Sequence, residues 1–371
     1  MLQLKRLNLL RGEGKLGVVK TTYWHQLPSG KVQCDICPRN CKLSEGQRGL
    51  CYVRGREDDQ ILLYTYGRSS GFCIDPIEKK PLNHFFPGTP ILSFGTAGCN
   101  LACKFCQNWD ISKSREMDTL CDEATPEKIA SVSKKMGAKS IAFTYNDPVI
   151  FMEYAKDCAL AAKELGLKTV AVTAGYINAK PREEFYSFID AANVDLKGFT
   201  DSFYKKICGG DLNSVLETLV YLKKETKVWF EITTLLIPGE NDSEKEIEEE
   251  TQWIVENLGK DIPLHFTAFH PDFKMRDIEK TPFNTLNKAR DIALKNGINF
   301  VYTGNVHDER GSSTYCPSCK KKIIGRDWYV LSDWEINRDG ECNFCKNKIE
   351  GHFEEFPGDW GAKRLPLHIA G

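Results

Sequence analysis

The sequence lacks any run of about 18 consecutive apolar residues, which argues against a membrane-spanning helix. It also lacks an excess of either charge. Lys and Arg number 50 against 51 Asp and Glu, a formal net charge of −1, so no global field favours nucleic acid or an anionic membrane. No basic run marks a nucleic-acid tail, and local patches are left open. Met1 to Leu10 holds two basic residues and no continuous apolar stretch, so it does not read as a signal peptide, and a cytoplasmic protein is expected. Internal repeats and low-complexity tracts are absent too. With 41% hydrophobic and 27% charged residues, the chain reads as a soluble globular protein.

What it has in quantity is cysteine. Fifteen is an odd number, and eleven of them fall in three tight groups. A secreted disulfide scaffold would be short and loop-rich, whereas this chain of 371 residues is patterned as α/β. Metal and cluster ligation in a reducing compartment is the better account. The remaining four, Cys73, Cys121, Cys158 and Cys208, read as small buried hydrophobes.

Three textures divide the chain: an irregular, cysteine-bearing segment over 1–89, alternating strand and helix patterns over 90–310, and a turn-rich segment over 311–371. In the middle segment the apolar runs are Ile91–Phe94, Ile141–Tyr145, Thr169–Thr173, Val194–Leu196, Val228–Thr234, Leu264–Ala268 and Asn299–Tyr302. Short, continuous and rich in β-branched residues, they read as strands buried on both faces. Thr125-Pro126 opens one intervening helix, Ser243 and Glu246 have capping-box spacing at another, and Gly297 closes a third. Such alternation implies a parallel sheet with right-handed crossovers, but periodicity does not say whether it closes.

Directly after the first of these strands stands Cys99-x3-Cys103-x2-Cys106. Three thiolates on one short loop converge on a single object. A closed zinc site wants four protein ligands, and no fourth cysteine lies nearby. Three thiolates suit a [4Fe–4S] cluster with one iron left open. The C-terminal end of a barrel strand is also where such folds place their chemistry.

With Phe105 as the aromatic before the last cysteine, this motif resembles the hallmark of the radical S-adenosylmethionine (radical SAM) superfamily. The rest of the chain resembles relatives of pyruvate formate-lyase activating enzyme and, among them, the radical SAM enzyme of the AmmeMemoRadiSam system. Its residues there are Cys34-x2-Cys37-Pro38-Arg39-x-Cys41 with Cys51, Pro76–Pro81 with His84, Thr144–Pro148, Asp195-Leu196-Lys197 and Phe269-His270-Pro271. The resemblance tips the fold to a partial (β/α) TIM-like barrel, with an N-terminal cysteine-rich segment and a C-terminal zinc-ribbon-like module. It implies reductive cleavage of SAM to a 5′-deoxyadenosyl radical that abstracts hydrogen from a substrate. An external electron donor (ferredoxin or flavodoxin) and the two companion proteins of the system are the partners it implies.

The resemblance also places SAM contacts. Asn146-Asp147-Pro148 follows the second strand, where relatives offer a contact to the methionine amino group. The same residues equally read as a helix start. Asp195 and Lys197 point to one side of a strand end and are expected to orient the SAM carboxylate. Thr173 and Gly175 are expected to border the cofactor, with Glu231 and Thr233 as ribose contacts. His265, His270 and His307, in or after the last strands, are substrate candidates.

Two further cysteine sets invite metal. Cys316-x2-Cys319 and Cys342-x2-Cys345 have the spacing of a structural zinc ribbon. Cys34, Cys37, Cys41 and Cys51 suit zinc or an auxiliary iron–sulfur cluster, and zinc is favoured because so irregular a segment needs a staple. The expected function is a radical SAM enzyme of unidentified substrate. The alternatives are an activase of glycyl-radical enzymes and, from another class, a redox-responsive metal-binding module that does not turn over SAM. Modification of nucleic acid ranks below these.

Overall fold

The computed structural model describes residues 17–113 and 122–369. The N-terminal decapeptide and Cys121 lie outside that range. All seven expected strands form. They are β2 (Pro90–Phe94), β3 (Ser140–Phe143), β4 (Lys168–Thr173), β5 (Ala191–Asp195), β6 (Trp229–Leu236), β7 (Leu264–Ala268) and β8 (Val301–Gly304), each parallel to the next. Nearly every residue in them is buried, which is why they read as continuous apolar runs rather than as alternation. β1 (Phe72–Pro76) pairs antiparallel with β2, and β9 (Leu365–Leu367) pairs antiparallel with β1. The resulting nine-stranded sheet is open, with β8 and β9 at its two edges. It takes one strand from before residue 90 and one from after residue 311.

Helices fill the crossovers: α1 (Pro126–Lys135), α2 (Met152–Glu164), α3 (Ala179–Ser187), α4 (Leu212–Glu225), α5 (Glu244–Leu258) and α6 (Phe283–Lys295). Thr125 caps α1 by accepting from the Lys128 N–H, with Pro126 in the first turn. Ser243 likewise accepts from the Glu246 N–H at the start of α5. Glu246 does not complete a capping box. Its carboxylate accepts instead from the Phe199 N–H at 2.7 Å, tying α5 to the loop after β5. Gly297, with φ of +102°, ends α6 in a conformation glycine tolerates best.

Three small three-stranded antiparallel sheets and a two-stranded one (Arg68–Ser69 with Asp122–Glu123) surround this frame. Gly17–Lys20, Arg54–Glu57 and Gln60–Tyr66 make one, and Trp24–Gln26, Val32–Cys34 and Lys42–Leu43 another. Their apolar residues Val32, Ile36, Val53, Ile61 and Leu63 belong to the same core as Phe94, Ile129 and Phe143 of the barrel. The third, Thr314–Tyr315, Lys322–Asp327 and Val330–Trp334, encloses a separate small core of Cys316, Ile323, Ile324, Ile336, Cys342 and Ile349. That core meets the barrel at Phe300 and Tyr302. No helix among the described residues is long and apolar enough to cross a membrane.

Candidate active site and metal centres

The C-terminal ends of all seven parallel strands converge on one cavity of about 270 Å³. Cys99, Cys103 and Cys106 face it from the loop after β2, Asn146 and Asp147 from the end of β3, and Thr173 from β4. Asp195 and Lys197 close the β5 side, with Thr233, Thr267 and Asn305 from β6, β7 and β8. Parallel pairing aligns every strand the same way, so residues from Cys99 to Asn305 meet at one mouth.

The cysteine loop is held from several sides. Gly98 donates its N–H to Ile111 O, Ala102 to Cys208 O and Lys104 to Ile207 O. Lys113 Nζ donates to Leu101 O at 2.8 Å. Asn146 spends its side chain on the loop: Oδ1 accepts from the Thr96 N–H, and Nδ2 donates to Ala97 O and Gly98 O at 3.1 and 2.8 Å. Gly95 is required beside it, because a Cβ there would stand 2.3 Å from Thr144 O.

Asp147 is both a helix cap and part of the wall. It accepts from the N–H groups of Val149 and Ala174 at 3.0 Å and from the Thr173 hydroxyl. Burial pushes its carboxyl up to about 6, and these donors oppose that rise. Across the cavity Lys197 Nζ donates to Asp195 Oδ2 at 2.8 Å. Burial works against the Lys197 charge, but the Asp195 carboxylate and the Cys103 sulfur outweigh it and hold the ammonium well above the usual lysine range. The thiols respond in turn. Cys99 is pushed up to about 11, chiefly by burial, while Cys103 is drawn down to about 6 by the Cys208 thiol and by Lys197 and Lys113, against its own burial.

Gly175 stands behind the wall, where its N–H donates to Thr173 Oγ1 at 3.0 Å. Glu231 does not reach the cavity. Its carboxylate accepts from the N–H groups of Asn83 and His84 and is bonded to His265 Nε2 at 2.7 Å, which anchors the 81–84 loop beneath the site. His265 is therefore spent inside the barrel. His270 is exposed and bonded to the neighbouring Pro271 carbonyl. His307 is exposed too, paired with Asp327 and stacked on Trp328. None of the three histidines lines the cavity.

Some contacts at the site are not legible in the sequence. Cys208 is buried, as expected of a small hydrophobe, but from behind the cavity wall its thiol also touches Cys103. Nothing in a pattern of local spacing links residues so far apart. Ser112, bonded to Cys106 Sγ at 3.1 Å, and Tyr145, whose φ is +69°, are further additions. A left-handed backbone at a bulky residue is uncommon and gathers at functional sites. Cys73 and Cys158 are buried, as expected of small hydrophobes.

In the C-terminal module the four sulfurs of Cys316, Cys319, Cys342 and Cys345 lie within 4.8 Å of one another, with Cys316 to Cys345 at 3.6 Å and Cys319 to Cys342 at 3.8 Å. Four thiols so spaced can close on one tetrahedral ion, and the module is ribbon-like. Cys34, Cys37, Cys41 and Cys51 line a separate cavity next to Arg54 and Asn100.

Residues 94–251 match the radical SAM superfamily. An uncharacterized protein of Methanocaldococcus jannaschii is 39% identical over 331 residues, 88% of this chain and 98% of that one. GTP 3′,8-cyclase of Lactiplantibacillus plantarum is 22% identical, over 63% of this chain and 76% of its own. Among solved structures, a radical SAM methyltransferase from Sphaerobacter thermophilus aligns with a TM-score of 0.47 at 13% identity, covering 81% of this chain and 80% of the other. The chain belongs to the radical SAM superfamily.

Proposed function

We propose that this protein cleaves SAM reductively and abstracts hydrogen from a substrate held in the same cavity, with Cys99, Cys103 and Cys106 holding a [4Fe–4S] cluster. The observation that carries the reading is the convergence of these three sulfurs with Asp147, Asp195 and Lys197 on one cavity. The donor set suits the group. No three of these sulfurs share the 4.8 Å grouping of the ribbon, so they fit a multi-iron body better than a single ion. When bound, cluster and SAM supply the one-electron chemistry and the 5′-deoxyadenosyl radical.

The chain supplies binding, orientation and shelter. The Lys197 ammonium, kept charged by Asp195, receives the methionine carboxylate in this reading, and the Asp147 carboxylate the amino group; the support is that all three line the cavity with the cysteines. Thr173 fixes Asp147, Gly175 fixes Thr173, and Asn146 fixes the cysteine loop. Leu101, Phe105 and Val172 exclude water around the reacting groups. Thr233, Thr267 and Asn305 are among the polar groups left to contact substrate. A one-electron donor of the ferredoxin or flavodoxin class is implied. The ribbon holds zinc in a structural role, and of the three segments 1–89, 90–310 and 311–371 the middle one supplies the cavity wall, with Pro81 added from the first.

The test is anaerobic reconstitution with iron and sulfide, followed by SAM and a strong reductant. Formation of 5′-deoxyadenosine, lost in Cys103→Ala, is the expected result. No nucleoside from the intact chain, or an equal yield from the variant, would overturn the reading.

A further inference from the structure

Three cysteine sets in one chain offer an internal ruler. A tetrahedral metal with bonds of about 2.3 Å holds its thiolates roughly 3.8 Å apart. The ribbon sulfurs, at 3.6 and 3.8 Å, have that spacing. The N-terminal four do not. They line one cavity, yet no three of their sulfurs lie within 4.8 Å of one another. In this they match Cys99, Cys103 and Cys106 rather than the ribbon. Four thiols that ring a void of about 10 Å³ without closing on a point suit a body whose metals each take one thiolate, such as an iron–sulfur cubane, rather than a single tetrahedral ion.

Arg54 supplies an independent observation. Its side chain is 1% exposed and lines this cavity. Nε donates to Ile150 O at 2.7 Å and Nη2 pairs with Glu153, but Nη1 is buried with no partner. A buried guanidinium N–H without an acceptor is costly. An anionic occupant with sulfur acceptors satisfies it, and hydrogen bonds to cluster sulfurs are an established means of setting their potential. Arg54 thus calls for an anion, and the spacing chooses between metals.

The position fits a redox body as well. Asn100 borders the N-terminal cavity while its neighbour Cys99 borders the SAM cavity. Gly98 packs so closely on Cys51 that a Cβ would stand 1.9 Å from the Cys51 carbonyl oxygen. Arg39 pins the same wall by donating to Asn100 O at 2.9 Å and to Gly209 O. The two cavities are separated by the thickness of one chain.

We propose that Cys34, Cys37, Cys41 and Cys51 ligate a second iron–sulfur cluster, not zinc, beside the first. The assignment does not rest on SAM cleavage. It is tested on the full chain, reconstituted anaerobically and desalted, by counting iron, sulfide and zinc. The intact chain should hold about eight irons and about one zinc, and Cys99→Ala/Cys103→Ala/Cys106→Ala should keep about four irons, with a reduced-state EPR signal indifferent to SAM. Cys37→Ala/Cys41→Ala should lose half the iron but keep a signal that SAM perturbs. About four irons and about two zincs in the intact chain, with an iron-free triple variant, would overturn the proposal. So would undiminished iron in Cys37→Ala/Cys41→Ala. Should that variant fail to fold, the counts from the other two proteins decide.

Discussion

Residues 17–66 and 314–353 each gather four cysteines, yet the first region packs its apolar side chains into the barrel core while the second builds a core of its own. Val32, Ile36, Val53 and Ile61 are completed by side chains of the barrel. Ile323, Ile324, Ile336 and Ile349 are completed mainly by one another and by Cys316 and Cys342. A core that small does not sustain itself without a staple. The difference bears on the two proposed metals. The proposed zinc holds the C-terminal fold together, whereas the N-terminal segment already has a core to lean on, which leaves its cysteines free for the proposed cluster.

The sharpest way to break this comparison is to remove both metals. Cys319→Ser/Cys342→Ser should lose about one zinc and expose 314–353 to hydrogen exchange, since structural zinc contributes on the order of 10 kcal/mol to small modules. Cys37→Ala/Cys41→Ala should leave the strands of 17–66 protected. Equal loss of protection in both would erase the distinction.

Next in size is Arg54→Ala. It leaves the Glu153 carboxylate without its partner and the Ile150 carbonyl without a donor, at a cost of roughly 3–5 kcal/mol in urea unfolding. A change below about 1 kcal/mol would show that the N-terminal segment is not locked to α2 as the contacts imply.

A smaller effect is expected where the ribbon meets the barrel. The Tyr302 hydroxyl bridges His84 Nε2 at 2.6 Å and Thr314 Oγ1 at 2.8 Å. Tyr302→Phe should cost about 1–3 kcal/mol by leaving His84 Nε2 buried and unpaired, while Thr314 Oγ1 keeps its bond from Arg326 Nη1 at 2.7 Å and iron content stays unchanged.

The last is a pH slope. Glu78 lies under the ribbon, accepts from the Gly88 N–H and stands 4.0 Å from Arg326. Burial, only partly offset by Arg326, pushes its carboxyl from 4.5 up to about 7. The folded state therefore binds a proton that the unfolded chain has released, so this group's stabilisation is complete below pH 4.5 and lost as pH rises to about 7. Glu78→Gln should flatten the urea midpoint across that window. An unchanged slope would mean that Glu78 is ionised in the fold.

How much was legible in the sequence follows from the range of each signal. The seven parallel strands, the Thr125 and Ser243 caps and the cysteine loop after the first strand rest on residues within a few positions of one another. Spacing and periodicity therefore determined them, and the four-thiolate ribbon as well. Glu246 departs from its local pattern because the half-buried Phe199 N–H, far off in sequence, competes for it.

What only the tertiary structure decided depends on pairs distant in the chain. It set Cys208 against Cys103, spent Asn146 on the loop at 96–98, turned His265 inward to Glu231 and left His270 and His307 on the surface. It also set the N-terminal cysteines around a cavity and drew the ribbon cysteines to a point, though both sets read alike as four thiolates. Sequence spacing limits how far apart two sulfurs can be, but the packing beneath each loop sets how far apart they are.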